Sequence, residues 1–245
     1  MMRLLLVRGM LSGLVAGLLA LVFAYLVGEP SVVSAINFES AAQAAAGQTP
    51  EPEMVSRAVQ STIGLATAVV VYAVAFGGLF SLAFAVAYGR VGRLSARATA
   101  AGLALGSYLV VFVVPFLKYP ANPPAVSNAD TINQRSTLYL ATVVASVLLA
   151  VAATYLGRRL TSRLGAWNAG LVAAAVYVVA VAVVQFLLPT INEVPDAFPA
   201  TLLWEFRIAS LGTQLVMWAT IGLLFGALVA RAFTNEAAQG MLARR

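Results

Sequence analysis

Six oxygen-bearing side chains are the candidates for chemistry in this chain: Glu29, Asn122, Asn192, Glu193, Asp196 and Glu205. Carboxylates and amide carbonyls are hard donors, suited to hydrated or divalent cations and poor at selecting transition metals. Histidine and cysteine are both absent. That removes the commonest metal ligand, the usual proton shuttle, disulfides and thiolate ligands. No nucleotide-binding loop, Ser/His/Asp set or HExxH motif occurs. The usual hydrolase and redox sites cannot be built, so neither enzymatic activity nor a resident cofactor is expected, and no nucleic-acid partner is implied.

Beside these oxygens stands a shaped stretch, Pro115-Phe116-Leu117-Lys118-Tyr119-Pro120-Ala121-Asn122-Pro123-Pro124, with four of the ten prolines. Pro120, Pro123 and Pro124 lack an N–H, and each drives the preceding residue out of helical space. The segment is therefore expected to be stiff, to fold over the helix ends and to line an entrance. Lys118 is expected to pair with Glu29, Glu193 or Glu205, because an ammonium beside an apolar helix end is costly without a carboxylate. Glu205 and Arg207 are expected to flank Phe206 where the last helix begins.

The elements that must position these residues are membrane helices. The 245 residues are 61% hydrophobic and 10% charged. Cutting the chain at charges leaves runs 9–28, 58–89, 98–117, 136–157, 164–192 and 208–230. Each reaches the roughly 18–20 residues that cross a bilayer as a helix. The predicted fold is all-α: one polytopic membrane domain over 1–245, surrounded by lipid. Its six helices lie near 4–28, 60–88, 98–117, 136–157, 167–188 and 207–230, and its outer loops at 29–59, 118–135 and 189–206. The first run exceeds the apolar core of a signal peptide and reads as a retained helix.

Orientation follows from the basic residues. Arg3, Arg8, Arg90, Arg93, Arg97, Arg158, Arg159, Arg163, Arg231, Arg244 and Arg245 fall on the side of the N-terminus, against Arg57, Lys118, Arg135 and Arg207 on the other. This asymmetry predicts both termini in the cytoplasm, in a multi-pass protein of the cytoplasmic membrane. All acids but Glu236 lie on the outer side, which makes a cation-attracting mouth.

Small residues recur four apart at Gly9, Gly13 and Gly17, at Gly102 and Gly106, and at Gly222 and Gly226. Such seams let backbones approach where hydrophobicity cannot drive association. They predict helix packing within the chain, with homo-oligomerisation as the minority reading. Glu29-Pro30 is expected to cap the first helix, with an alanine-rich surface helix possible over 31–46.

Three segments carry a family resemblance: Val55-Ser56-Arg57-Ala58-Val59-Gln60-Ser61-Thr62-Ile63-Gly64, Gly89-Arg90-Val91-Gly92-Arg93-Leu94-Ser95 and, most specifically, Pro115 to Val126. The chain resembles the CbtA family of proposed cobalt transporter subunits over nearly its whole length. That resemblance implies cobalt (Co²⁺) uptake for cobalamin biosynthesis, with a small histidine-bearing partner, CbtB. Many members of that family carry histidines in the first outer loop, where this chain has Gly47-Gln48-Thr49-Pro50-Glu51-Pro52-Glu53. The residues themselves, without the resemblance, leave two alternatives open: transport of another cation, and a non-transporting scaffold or assembly protein.

Overall fold

The computed structural model describes residues 2–47, 55–90, 92, 94–126 and 128–242. Among these the chain is helical, without strands. Five helices are long and apolar enough to cross a membrane: α1 (Met2–Ala45), α2 (Arg57–Ala87), α3 (Ala96–Lys118), α4 (Ile132–Leu187) and α5 (Ala200–Leu242). Five rather than six arise because the expected fourth and fifth spans form one hydrogen-bonded run of 56 residues. Residues 158–164, which lie between the expected helices 136–157 and 167–188, contain no Gly or Pro and stay helical. The break comes at Gly165, whose φ of 72° and ψ of 163° suit a residue without Cβ. Ser146 and Tyr177, 31 residues apart in sequence, meet at 2.8 Å across the resulting hairpin.

Two further differences concern helix ends. Glu29-Pro30 does not cap α1, which continues to Ala45. A π-helical turn at Ala24–Gly28 precedes Pro30. Its wider i→i−5 spacing accommodates a proline that would clash in regular α-helix. The same device, a π turn at Tyr108–Val113, precedes Pro115 within α3. At the other end of the chain, α5 begins at Ala200, directly after Pro199. Glu205 and Arg207 therefore lie inside the helix, beyond the first turn where the helix dipole favours an acid.

The chain forms two compact units, residues 1–108 with 204–245, and residues 109–203. In the first, α1 and α2 touch through backbone. A Cβ at Gly9 or Gly13 would fall on the carbonyl oxygens of Gly77 and Ala73, and one at Gly17 would lie 3.0 Å from Ala73 Cβ. Gly222 and Gly226 admit Ala104 and Ala100 of α3 in the same way. Phe225 fills the centre, edge-on to Phe80 and Phe84 at 5.4 and 5.0 Å, with Met217, Ile221 and Val229 buried along the same helix. Gly102 and Gly106 differ from the other seams: nothing lies within 4 Å of an added Cβ at either. The second unit holds the end of α3, the α4 hairpin and two loops, 119–131 and 188–199.

Candidate functional site

In the second unit the proline-rich stretch and the loop before α5 are stapled together. Tyr119 hydroxyl donates to the Pro189 carbonyl at 2.8 Å, and Lys118 Nζ donates to Thr190 Oγ1 at 3.2 Å. Burial pushes the Tyr119 phenol above its ordinary value, so it remains a neutral donor at physiological pH. Pro123 and Val126 are buried, and the Val126 N–H closes a turn on the Pro123 carbonyl at 3.3 Å. Ala125 occupies the third position of that turn at φ 71°, a left-handed conformation favouring glycine. A strained residue held between buried neighbours marks a loop with one fixed shape.

Glu193 is the hub of this cap. One carboxylate oxygen accepts from the Thr131 hydroxyl. The other accepts from the Asn128 backbone N–H at 3.2 Å and from Arg135 Nη1 at 3.0 Å. Thr131 and Arg135 stand one turn apart at the start of α4, which aims both at the same point. The Thr131 hydrogen bond chiefly, then the Asn128 N–H and Arg135, hold the Glu193 carboxyl below its ordinary value, against the opposing effect of burial. Both oxygens are thus occupied by donors. The expected pairing of Lys118 with Glu193 is corrected: Glu193 takes Arg135 because that guanidinium projects from the adjoining helix, while Lys118 reaches Thr190.

The remaining expected ligands are placed as follows. In the first unit, Glu29 forms an ion pair with Arg57, which ties α1 just past its π turn to the start of α2. Glu205 is exposed on α5, and Arg207 is half-buried there. In the second unit, Asn122 is half-buried, Asp196 is exposed, and exposed Asn192 accepts from the Val194 N–H at 3.5 Å. Among the described residues no three acids come together as a metal-holding group. The expectation about the histidine-poor loop 47–53 falls almost wholly on residues 48–54, outside those described.

Composition gave little hint of a polar network deeper in the second unit. Pro115 has no N–H, so the carbonyl five residues back, at Val110, loses its donor in the π turn. Ser146 hydroxyl supplies one at 2.7 Å, and Tyr177 hydroxyl joins Ser146 at 2.8 Å. Gln185 Nε2 donates to the Val114 carbonyl at 2.7 Å. The available signal was Pro115 inside an apolar run, since it implies an orphan carbonyl that some neighbouring side chain must satisfy. In the first unit, an apolar groove of about 430 Å³ is lined by Leu21, Tyr25, Ile63 and Ala66 among others. The hydroxyls of Ser61 and Thr62 there both donate to the Ala58 carbonyl.

A family model described as "Probable cobalt transporter subunit (CbtA)" matches residues 2–230. The chain belongs to the CbtA family. No curated protein and no solved structure matches it. Within this CbtA-family chain, Pro115 to Val126 has a physical content: Pro115 follows a π turn and orphans the Val110 carbonyl, Tyr119 ties the stretch to Pro189, and a tight turn closes it at Pro123–Val126.

Proposed function

We propose that this chain is the membrane-embedded subunit of a Co²⁺ uptake transporter in the cytoplasmic membrane, working with a small histidine-bearing partner of the CbtB type. The observation that carries this reading is the family match over residues 2–230. Six crossings with both termini cytoplasmic are part of the proposal. Segments 132–164 and 166–187 each exceed the roughly 20 residues a span requires, and the arginines favour that orientation. Co²⁺ is cargo here. The partner's imidazoles supply the softer ligands that a chain without His or Cys lacks.

Outer carboxylates raise the local cation concentration, and the Glu193-held cap keeps the mouth in one shape. In the second unit, Asn122, Asn192 and Asp196 are the side chains we assign to the ion's approach; in the first unit, Glu29 and Glu205 add to the outer negative charge. The membrane potential drives inward movement, worth about 2.3 kcal/mol per charge per 100 mV. Uptake of radioactive cobalt into cells lacking other importers, with and without this chain and its partner, tests the proposal. A second reading, a non-transporting scaffold, is favoured by the open Gly102 and Gly106 faces, which admit another helix. It requires equal uptake in both cell types.

A further inference from the structure

The α4 hairpin carries a surface that neither the family nor the proposed transport explains. Leu148, Val151 and Tyr155 are 64%, 63% and 55% exposed. They stand three or four residues apart and continue to exposed Arg159 and Arg163 at the same spacing. These five positions share one face of the helix. The order along it is apolar, apolar, aromatic, cationic, cationic. From Leu148 to Arg163 it runs about 22 Å, comparable to half a bilayer with its headgroup layer.

The cationic end is pre-set. The Arg159 guanidinium lies over the Tyr155 ring, 4.6 Å from its centre, which restrains a side chain that otherwise loses much freedom on binding. Exposed Arg158 adjoins the pair. No Asp or Glu occurs between Asp130 and Glu193, so the hairpin brings no carboxylate of its own to this end. Trp167, 79% exposed, follows the break at Gly165 and suits the level of lipid headgroups.

We infer that this face is a binding site for an anionic phospholipid. Its acyl chain lies on Leu148 and Val151, its glycerol region on Tyr155, and its phosphate between the guanidinia of Arg159 and Arg163, which match phosphate oxygens in bidentate fashion. A free phosphate would use only the cationic end, whereas the face continues along the apolar surface. Arginines that merely orient the protein would show no preference among headgroups.

The test uses the full chain purified in mild detergent, with retained lipids counted by native mass spectrometry after exposure to equal phosphatidylglycerol and phosphatidylcholine. The wild-type chain is expected to retain phosphatidylglycerol preferentially. Arg159→Gln with Arg163→Gln should lower that preference about thirtyfold, from about fivefold per arginine near an anionic surface. Arg3→Gln with Arg8→Gln, the same change of charge elsewhere, should leave it intact. Excess inorganic phosphate should not displace the lipid. The inference is overturned if the wild type retains both lipids equally, if both double variants lose the preference alike, or if phosphate strips the lipid. Should the first double variant fail to fold, Arg159→Gln alone carries the test with an expected fivefold loss, and an unchanged preference overturns the inference.

Discussion

Replacing Glu193 by Ala removes three accepted hydrogen bonds at once and leaves the Arg135 guanidinium without its carboxylate. The side chains of Glu193 and Arg135 are only 12% and 25% exposed, so the pair lies between a surface and a buried one. Surface pairs contribute about 0.2–1 kcal/mol, and breaking a buried pair costs about 3–5 kcal/mol. Hydrogen bonds to charged groups add about 1.5–3 kcal/mol each, with incomplete additivity. Arg135 and Thr131 recover part of this by hydration once the carboxylate is gone. A net loss of about 3 kcal/mol is expected, which for a protein of this size lowers Tm by about 6–12 °C. Glu193→Gln, which keeps the shape and one carbonyl acceptor, should lose about half as much. Thermal unfolding of the detergent-purified chain, followed by circular dichroism, reads the shift. Asp196→Asn, at an exposed carboxylate, is the control and should change stability by less than about 0.5 kcal/mol. A Tm for Glu193→Ala within about 1 °C of the Asp196→Asn value would refute the claim that Glu193 holds the cap.

The remaining expectations concern pH, seams, the orphan carbonyl, the turn and topology. Because the Glu193 carboxyl is held below its ordinary value, its stabilisation is full above the unfolded value of about 4.3 and is lost as pH falls through the folded value. The Tm gap between wild type and Glu193→Gln should stay constant from pH 8 to 6 and close in acid. Gly13→Leu drives a side chain into the Ala73 carbonyl and should cost about 3 kcal/mol, the upper end of the overpacking range. Gly102→Leu, facing open space, should leave Tm unchanged. Ser146→Ala leaves the Val110 carbonyl without its donor and should cost about 0.6–1.7 kcal/mol, the range for hydrogen bonds between membrane helices. Ala125→Gly relieves about 1–2 kcal/mol of left-handed strain against the unfolded-state freedom of glycine, for a net gain of about 0.5 kcal/mol by the same melts. Cysteines placed at Ser127 and Ser162 should label from outside and inside respectively, and the reverse pattern would contradict the orientation.

The helices were legible because a chain crossing lipid must keep charges out of long stretches, and each of the five long apolar helices among the described residues contains at least one such uncharged run. Their ends were not. Pro30 read as a terminator and Pro115 as lying in the last turn of a helix, yet each sits behind a π turn with helix continuing beyond it. Such turns depend on i→i−5 pairing that no residue type announces. Arg158, Arg159 and Arg163 read as a loop by charge alone, although only Gly165 breaks the helix. At the site, the proline-rich stretch was recognisable as shaped, since proline restricts local geometry wherever it stands. The partners of Glu193 lie 58 to 65 residues earlier in the chain. Pairing at that separation is decided by how helix ends meet, and Thr131 and Arg135 carry no local mark of it.

The central claim is that this chain admits Co²⁺ together with a histidine-bearing partner. The most direct measurement is Co²⁺ accumulation in liposomes containing both purified proteins, an entrapped chelator dye and an imposed interior-negative potential. Accumulation above that of protein-free liposomes is expected, dependent on the partner and abolished when the potential is collapsed. Accumulation equal to that of protein-free liposomes, with both proteins folded in the bilayer, would contradict it.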